Sequence, residues 1–135
     1  MQPVLPAGYE LASFEEIDST NEEARRRALA GERGPVWIWA LKQTAGRGRR
    51  GRAWESPSGN LSCTLLLAPG APAADAARLS FVAALAARDT VAAFVPEGLV
   101  QVKWPNDVLI EGRKVAGILL ESSGDGDRQL PWLAV

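Results

Sequence analysis

Two apolar runs joined by a basic, glycine-rich link set the tightest limit on how this chain can fold. The runs are "PVWIWALKQ" at 35–43 and "GNLSCTLLLAP" at 59–69. Both read as buried strands, the second entered through the turn-forming "SPSGN". Between them, Gly46–Arg52 packs four arginines and three glycines into seven positions. The link is therefore a loop tethered at both ends by sheet and closed by Trp54, unlike the low-complexity surroundings of an RGG-like nucleic-acid tail. Glycines allow close backbone approach to a ligand and positive φ, while arginines present planar forks that pair with phosphate bidentately. Such a loop is expected to order over a phosphate when one binds. A merely solvated basic loop remains the plain alternative.

Charge narrows the choice of ligand. The chain has 15 basic and 16 acidic residues and a net charge of −1, so the arginine loop is a cationic island on an acidic body. That favours a small anion over a long polyanion. A length of 135 residues suits one domain. Cys63 is the only cysteine and histidine is absent, which removes an internal disulfide, the usual zinc sites and Cys/His or Ser/His/Asp catalysis. A reducing cytoplasmic setting fits, since the N-terminus lacks a basic start with an apolar run and no stretch approaches ~18 apolar residues.

Around the two strands the pattern predicts a short edge strand near Tyr9–Ile17 and then a helix through "DSTNEEARRRALAGERG". Ser19 with Glu22, or Thr20 with Glu23, forms its capping box and Gly31 its stop. Residues 72–94 predict one core-facing helix with Leu79, Val82, Ala83, Ala86 and Thr90 inward. "LVQVKWPND" reads as a strand entering a turn, and "VLIEGRKVAGILLES" as a hairpin cornered at Glu111-Gly112. "SSGDGDRQLPWLAV" predicts a polar turn and then an apolar strand that ends while still apolar, which implies a missing partner segment. Trp37 and Trp39 read as strand-packing residues and Arg113 as a solvated hairpin residue.

"STNEEA", "KQTAGRGRRGRAWESPSGNL" and "VKWPNDVLIEGRKVAGILLE", spaced over residues 19–121, closely resemble the catalytic domain of biotin protein ligases. The resemblance implies an α+β fold, a mixed β-sheet flanked by helices as in class II aminoacyl-tRNA synthetases. It also implies an ATP-dependent, AMP-forming ligase. Such an enzyme joins biotin to the α-phosphate of ATP and then passes the biotinyl group to a lysine of a biotin carboxyl carrier domain. Biotin and ATP would be substrates, with Mg2+ present and catalysis resting on Lys114 and Arg47.

By the same resemblance Ser19, Thr20, Asn21 and Gln43 line the biotin pocket. Either Ser19 or Thr20 could equally serve only as the helix cap. Arg47, Gly48 and Arg49 match the segment that folds over biotin and phosphate, and Lys114 matches the lysine at the biotin carboxylate. Arg50, Arg52, Lys103 and Asn106 fall on the adenylate side. Trp54 stacks on adenine or is a core tryptophan; Asp107 supports magnesium or is only a turn residue.

The family's catalytic domains continue into a glycine-rich strand, more helix and an SH3-like barrel. This chain therefore reads as a partial catalytic domain over 1–135, incomplete at the C-terminus, with no N-terminal DNA-binding domain and a homodimer left open. The competing readings are a lipoate or octanoate ligase, whose ligand needs an apolar tunnel in place of polar partners for a ureido ring, and a non-catalytic biotin- or nucleic-acid-binding fragment.

Overall fold

A strand–helix–strand unit begins the fold. β1 (Glu10–Ile17) leads into α1 (Thr20–Leu29), which returns the chain to β2 (Val36–Gln43), parallel to β1 with Ile17 opposite Gln43. The structure, a computed structural model, describes residues 3–123 and 130–135. After the arginine loop come β3 (Ser62–Leu67), α2 (Ala73–Ala76) and α3 (Leu79–Ala92). β4 (Val100–Lys103), β5 (Asp107–Ile110) and β6 (Arg113–Gly117) then form an antiparallel meander, and β7 (Glu121–Ser122) and β8 (Leu133–Ala134) return to the first sheet.

The first sheet is mixed, in the order β1-β2-β3-β8-β7, with only the β1–β2 pair parallel. Its strands alternate as a sheet covered on both faces requires. Val36, Ile38, Leu66 and Ala134 point to one face and pack with Ala24 and Ala28 of α1 and with Trp132. Leu133 and Leu67 point to the other, where Ala76, Leu79 and Leu120 cover them. Trp37 and Trp39 stand half-buried on this second face, out of register with the α1 core. β1 lies at the sheet edge as the pattern predicts. The apolar strand at the end of the sequence has neighbours on both sides, β3 and β7. The polar turn expected over 124–129 lies outside the described residues.

Two expectations change. Residues 72–94 form two helices, because the backbone tightens to i→i−3 hydrogen bonds at Arg78, Ser80 and Phe81. Nor does α3 turn the predicted stripe inward: Val82, Ala86 and Thr90 are exposed, and Ala84 is its one buried residue among those described. An alanine-dense helix has a shallow apolar preference, so its rotation follows its contact with β4 and β5.

The α1 start also differs in detail. Ser19 is the cap, its Oγ accepting from Glu22 N–H at 3.3 Å. The reciprocal bond comes from elsewhere: Ser19 N–H donates to the Asp18 carboxylate at 2.7 Å, while Glu22 binds Arg25. Asp18 also receives two hydrogen bonds from Arg26, each 2.8 Å. Chiefly through Arg26, its pKa falls from 3.8 to about 2. A carboxyl more acidic in the folded chain stabilises the fold fully above pH 3.8 and ceases to do so as pH falls through about 2. Acid unfolding of wild type and Asp18→Asn should therefore converge below that window and separate above it, with the gap narrowed by salt because the pair is half-exposed. Parallel curves across pH 2 to 4 would contradict this role.

Candidate functional site

Ligands of α/β folds gather at the carboxyl ends of parallel strands. Here β1 leads through Asp18 into Ser19-Thr20-Asn21 at the start of α1, and β2 ends in Gln43, which leads into the arginine loop. The parallel pairing continues past both ends, Thr44 N–H donating to Ile17 O (2.9 Å) and Ala45 N–H to Asp18 O (2.8 Å). Thr20 is bound to Gln43 twice, its N–H and hydroxyl both reaching Oε1, at 2.8 and 3.1 Å. Gln43 Nε2 donates onward to Ser56 Oγ at 2.9 Å.

Beneath them lies Thr64, 1% exposed on β3. Its hydroxyl is 2.8 Å from Thr20 Oγ1 and also meets Asn21 Oδ1. One hydroxyl proton serves one acceptor at a time, so these groups share a small set of protons. Asn21 spends both amide protons, on Leu119 O (3.3 Å) and on Glu121 Oε2 (2.9 Å). Among the described residues, every buried side-chain nitrogen or oxygen has a partner. Ser19 Oγ accepts through the cap and keeps its own proton to donate, so capping and ligand contact are compatible at that residue.

The arginine loop folds as an irregular hairpin. Gln43 pairs with Ser56 and Arg47 with Ala53; Trp54 N–H reaches Gly46 O at 2.9 Å, and Gly48 N–H reaches Arg52 O at 2.7 Å. Glycine is required at Gly46, where a Cβ would sit 2.6 Å from the Trp54 carbonyl oxygen. The tip is a single 3-10 turn, Arg49–Gly51, with Arg50 left-handed at φ 60° and Gly51 at φ 71°. Arg47 binds Glu121 Oε2 at 2.9 Å and Glu22 Oε2 at 3.4 Å. Arg25 above all, with the charges of Arg47 and Arg26, holds the Glu22 carboxyl below its ordinary pKa. Arg49, Arg50 and Arg52 are exposed.

The β4–β6 meander brings up the last candidates. Glu111 and Gly112 both have positive φ, 48° and 80°, which makes the tight corner that the sequence predicts. Lys114 Nζ pairs with Asp107 Oδ1 at 2.9 Å and lies 4.9 Å from the centroid of the Trp54 ring. A Cβ on Gly117 would fall 3.1 Å from both Lys114 Nζ and Trp54 Cη2. The loop thus lies directly on β6.

Trp54 is 39% exposed, so the core-tryptophan alternative fails. Asn106 is buried, its amide donating to Ile118 O at 2.6 Å while Ile118 N–H returns to Asn106 O at 3.0 Å. It ties the turn to the strand behind it. The Asp107 carboxylate pairs with Lys114, and among the described residues no group of three or more His, Cys, Asp or Glu is arranged to hold an ion. Lys103 is exposed at the end of β4. Burial raises the Cys63 thiol pKa, which disfavours its thiolate.

A cavity of about 380 Å3 adjoins the group, lined by Arg49, Phe81, Asn106, Ile118, Leu119 and Leu120 among others. Sequence reasoning missed Thr64, Ser56, Gly117 and Glu121. Thr64 has a readable signal, a hydroxyl on the inward phase of an apolar strand; Glu121 has none, because its partners Asn21 and Arg47 are brought to it only by the tertiary fold.

Residues 13–130 match the biotin/lipoate A/B protein ligase family. The chain is 56% identical over 110 residues to the biotin–[acetyl-CoA-carboxylase] ligase of Paracoccus denitrificans, covering 81% of this chain and 45% of that one. It superposes on the Leishmania major biotin protein ligase in complex with biotinyl-5-AMP with a TM-score of 0.71 and 31% identity, covering 96% of this chain and 56% of that chain. The Aquifex aeolicus biotin protein ligase in complex with biotin and ATP gives 0.70 and 29%, over 93% and 50% of the two chains. The chain thus spans about half the length of these relatives. The fold is the mixed sheet with flanking helices that those ligases have.

Thr64→Val keeps the shape of the side chain but takes away the hydroxyl between Thr20 and Asn21. The loss of a buried partner should cost about 1–3 kcal/mol. Chemical denaturation reads it, and a variant as stable as wild type would show that the hydroxyl is not a structural member of the site.

Proposed function

The chain belongs to the biotin/lipoate A/B protein ligase family, and from that premise we propose that it carries out ATP-dependent ligation of biotin to a lysine of a carboxylase carrier domain. The observation that carries this reading is the convergence of three separate segments. The arginine loop touches β6 through Trp54, Lys114 and Gly117, and reaches the start of α1 through Gln43 and Arg47.

In the first step a biotin carboxylate oxygen attacks the α-phosphorus of ATP; the new P–O bond gives biotinyl-5'-AMP and the α–β bridge breaks to release pyrophosphate. The carboxylate is already ionised near neutral pH, so the absence of histidine is no obstacle. What the reaction needs is compensation for crowded negative charge, supplied by a planar cation and a point cation, Arg47 and Lys114. In the second step the acceptor lysine's neutral amine attacks the acyl carbon, forming the amide and expelling AMP.

In this scheme Ser19, Thr20, Asn21 and Gln43 surround the ureido ring. Asn21 acts indirectly, since both its amide protons are engaged. Gly48 and Arg49 lie beside the biotinyl chain, Trp54 offers a face to adenine, and Arg50, Arg52, Lys103 and Asn106 border the phosphate and nucleotide. Magnesium enters as MgATP, held through phosphate and water, as Mg2+ commonly is; no protein carboxylate is assigned to it. The polar knot around Thr20 and Gln43 favours biotin over an acyl chain such as lipoate. A cytoplasmic setting suits a half-buried, free Cys63; among the described residues no helix is long and apolar enough to cross a membrane.

Pyrophosphate release on adding biotin and MgATP tests this reading, with calorimetry against biotin and lipoate to identify the acid. Arg47→Ala and Lys114→Ala should each lose about 10²–10³-fold in adenylation, the scale for removing one donor to developing charge. Near-normal rates in both variants would remove the assigned roles, and heat of binding with lipoate alone would exchange the substrate.

A further inference from the structure

One carboxylate oxygen joins two parts of the site that the reaction scheme treats separately. Glu121 Oε2 accepts from Asn21 Nδ2 and from an Arg47 guanidinium nitrogen, both at 2.9 Å. Glu121 lies on β7, whose backbone is paired to β8 at Ala134, a fully buried position. The glutamate therefore projects from the five-stranded sheet toward both the first turn of α1 and the arginine loop. Its side chain is 30% exposed, enough to solvate the second oxygen.

We propose that Glu121 is a positioning residue for adenylation, holding the Arg47 guanidinium and the Asn21 amide in fixed relation. The assignment rests on the ligase reading above. Arg47 is attached to a loop whose tip contains glycines and a left-handed arginine. Its long side chain has many rotamers, and an unrestrained guanidinium would spend little time aimed at one phosphorus. Glu121 supplies the restraint, and Glu22 at 3.4 Å adds a longer one.

Both acids face a single arginine, so they also oppose the approach of an anionic substrate. A carboxylate at this place is therefore costly for affinity. Its presence makes sense where aim matters more than attraction. This predicts a split between kcat and KM that a purely structural residue would not produce.

Glu121→Gln keeps an acceptor oxygen of the same reach while removing the charge; Glu121→Ala removes both. In the full chain, with pyrophosphate release as the readout, Glu121→Ala should lower kcat on the order of 10²-fold, the scale for misplacing a catalytic group by about 1 Å. Glu121→Gln should recover most of that loss, with a KM for biotin or ATP below the wild-type value. Melting curves of both variants identify loss of fold, and if Glu121→Ala does not fold, Glu121→Gln against wild type still reads the KM shift. A double-mutant cycle with Arg47→Lys should be strongly non-additive.

Positioning is overturned by additive effects, by an alanine variant with normal kcat, or by a folded glutamine variant as slow as alanine. No pyrophosphate release from wild type would instead overturn the ligase reading, so the two failures are separable.

Discussion

Most of the site rests on a buried set of polar groups that must satisfy one another. Thr64 lies below Thr20 and Asn21, Gln43 caps them from β2, and Ser56 closes the set from the far side of the arginine loop. In a low-dielectric interior an unpaired member would cost far more than a paired one contributes. The residues are therefore locked in position before any ligand is considered. That lock depends in turn on the parallel register of β1 and β2, because a slip of one residue would turn Gln43 away from Thr20.

The sequence made the strands flanking the arginine loop, the first helix and the Glu111-Gly112 corner legible, since each has a local signal: alternation, a cap, a pair of turn residues. It made the fold class and the three motif segments legible through resemblance. It misled where the signal was diffuse. The alanine-rich stretch from 72 to 94 has small residues on every face, so neither its break near Arg78 nor its orientation follows from spacing. The pairings in the site were also out of reach. Arg47 with Glu121 is a tertiary approach across 74 positions, and Lys114 with Asp107 is a diagonal contact within the β5–β6 hairpin whose register shifts at Val108/Leu109, which spacing does not announce.

Charge balance follows a similar logic. A loop with four arginines looked like an unopposed cationic surface, yet Arg47 faces two carboxylates and Lys114 a third. Arg49, Arg50 and Arg52 remain at the exposed rim. The loop thus divides into one arginine held by two carboxylates, its side chain still 38% exposed, and three at the margin. Steering of an anion from solution suits the rim, where screening by salt is strong. Stabilising charge at a reacting atom suits the fixed cations, which need no reorganisation when charge develops.

The two sheets meet at this place, and that junction sets how accurately the cations can be placed. Arg47 takes its position from the five-stranded sheet through Glu121, whereas Lys114 belongs to β6 of the three-stranded one. Trp54 bridges them, its backbone bound to Gly46 and its ring against Lys114 and Gly117. Asn106 and Ile118 brace the meander by two reciprocal bonds, and Asn21 receives the next stretch of chain at Leu119. A rotation of one sheet against the other would separate the arginine from the lysine even if each kept its rotamer. The close contact at Gly117, where an added Cβ would lie 3.1 Å from the Trp54 ring edge and 3.0 Å from the Lys114 side chain, is where loop and β6 leave least room for such a rotation.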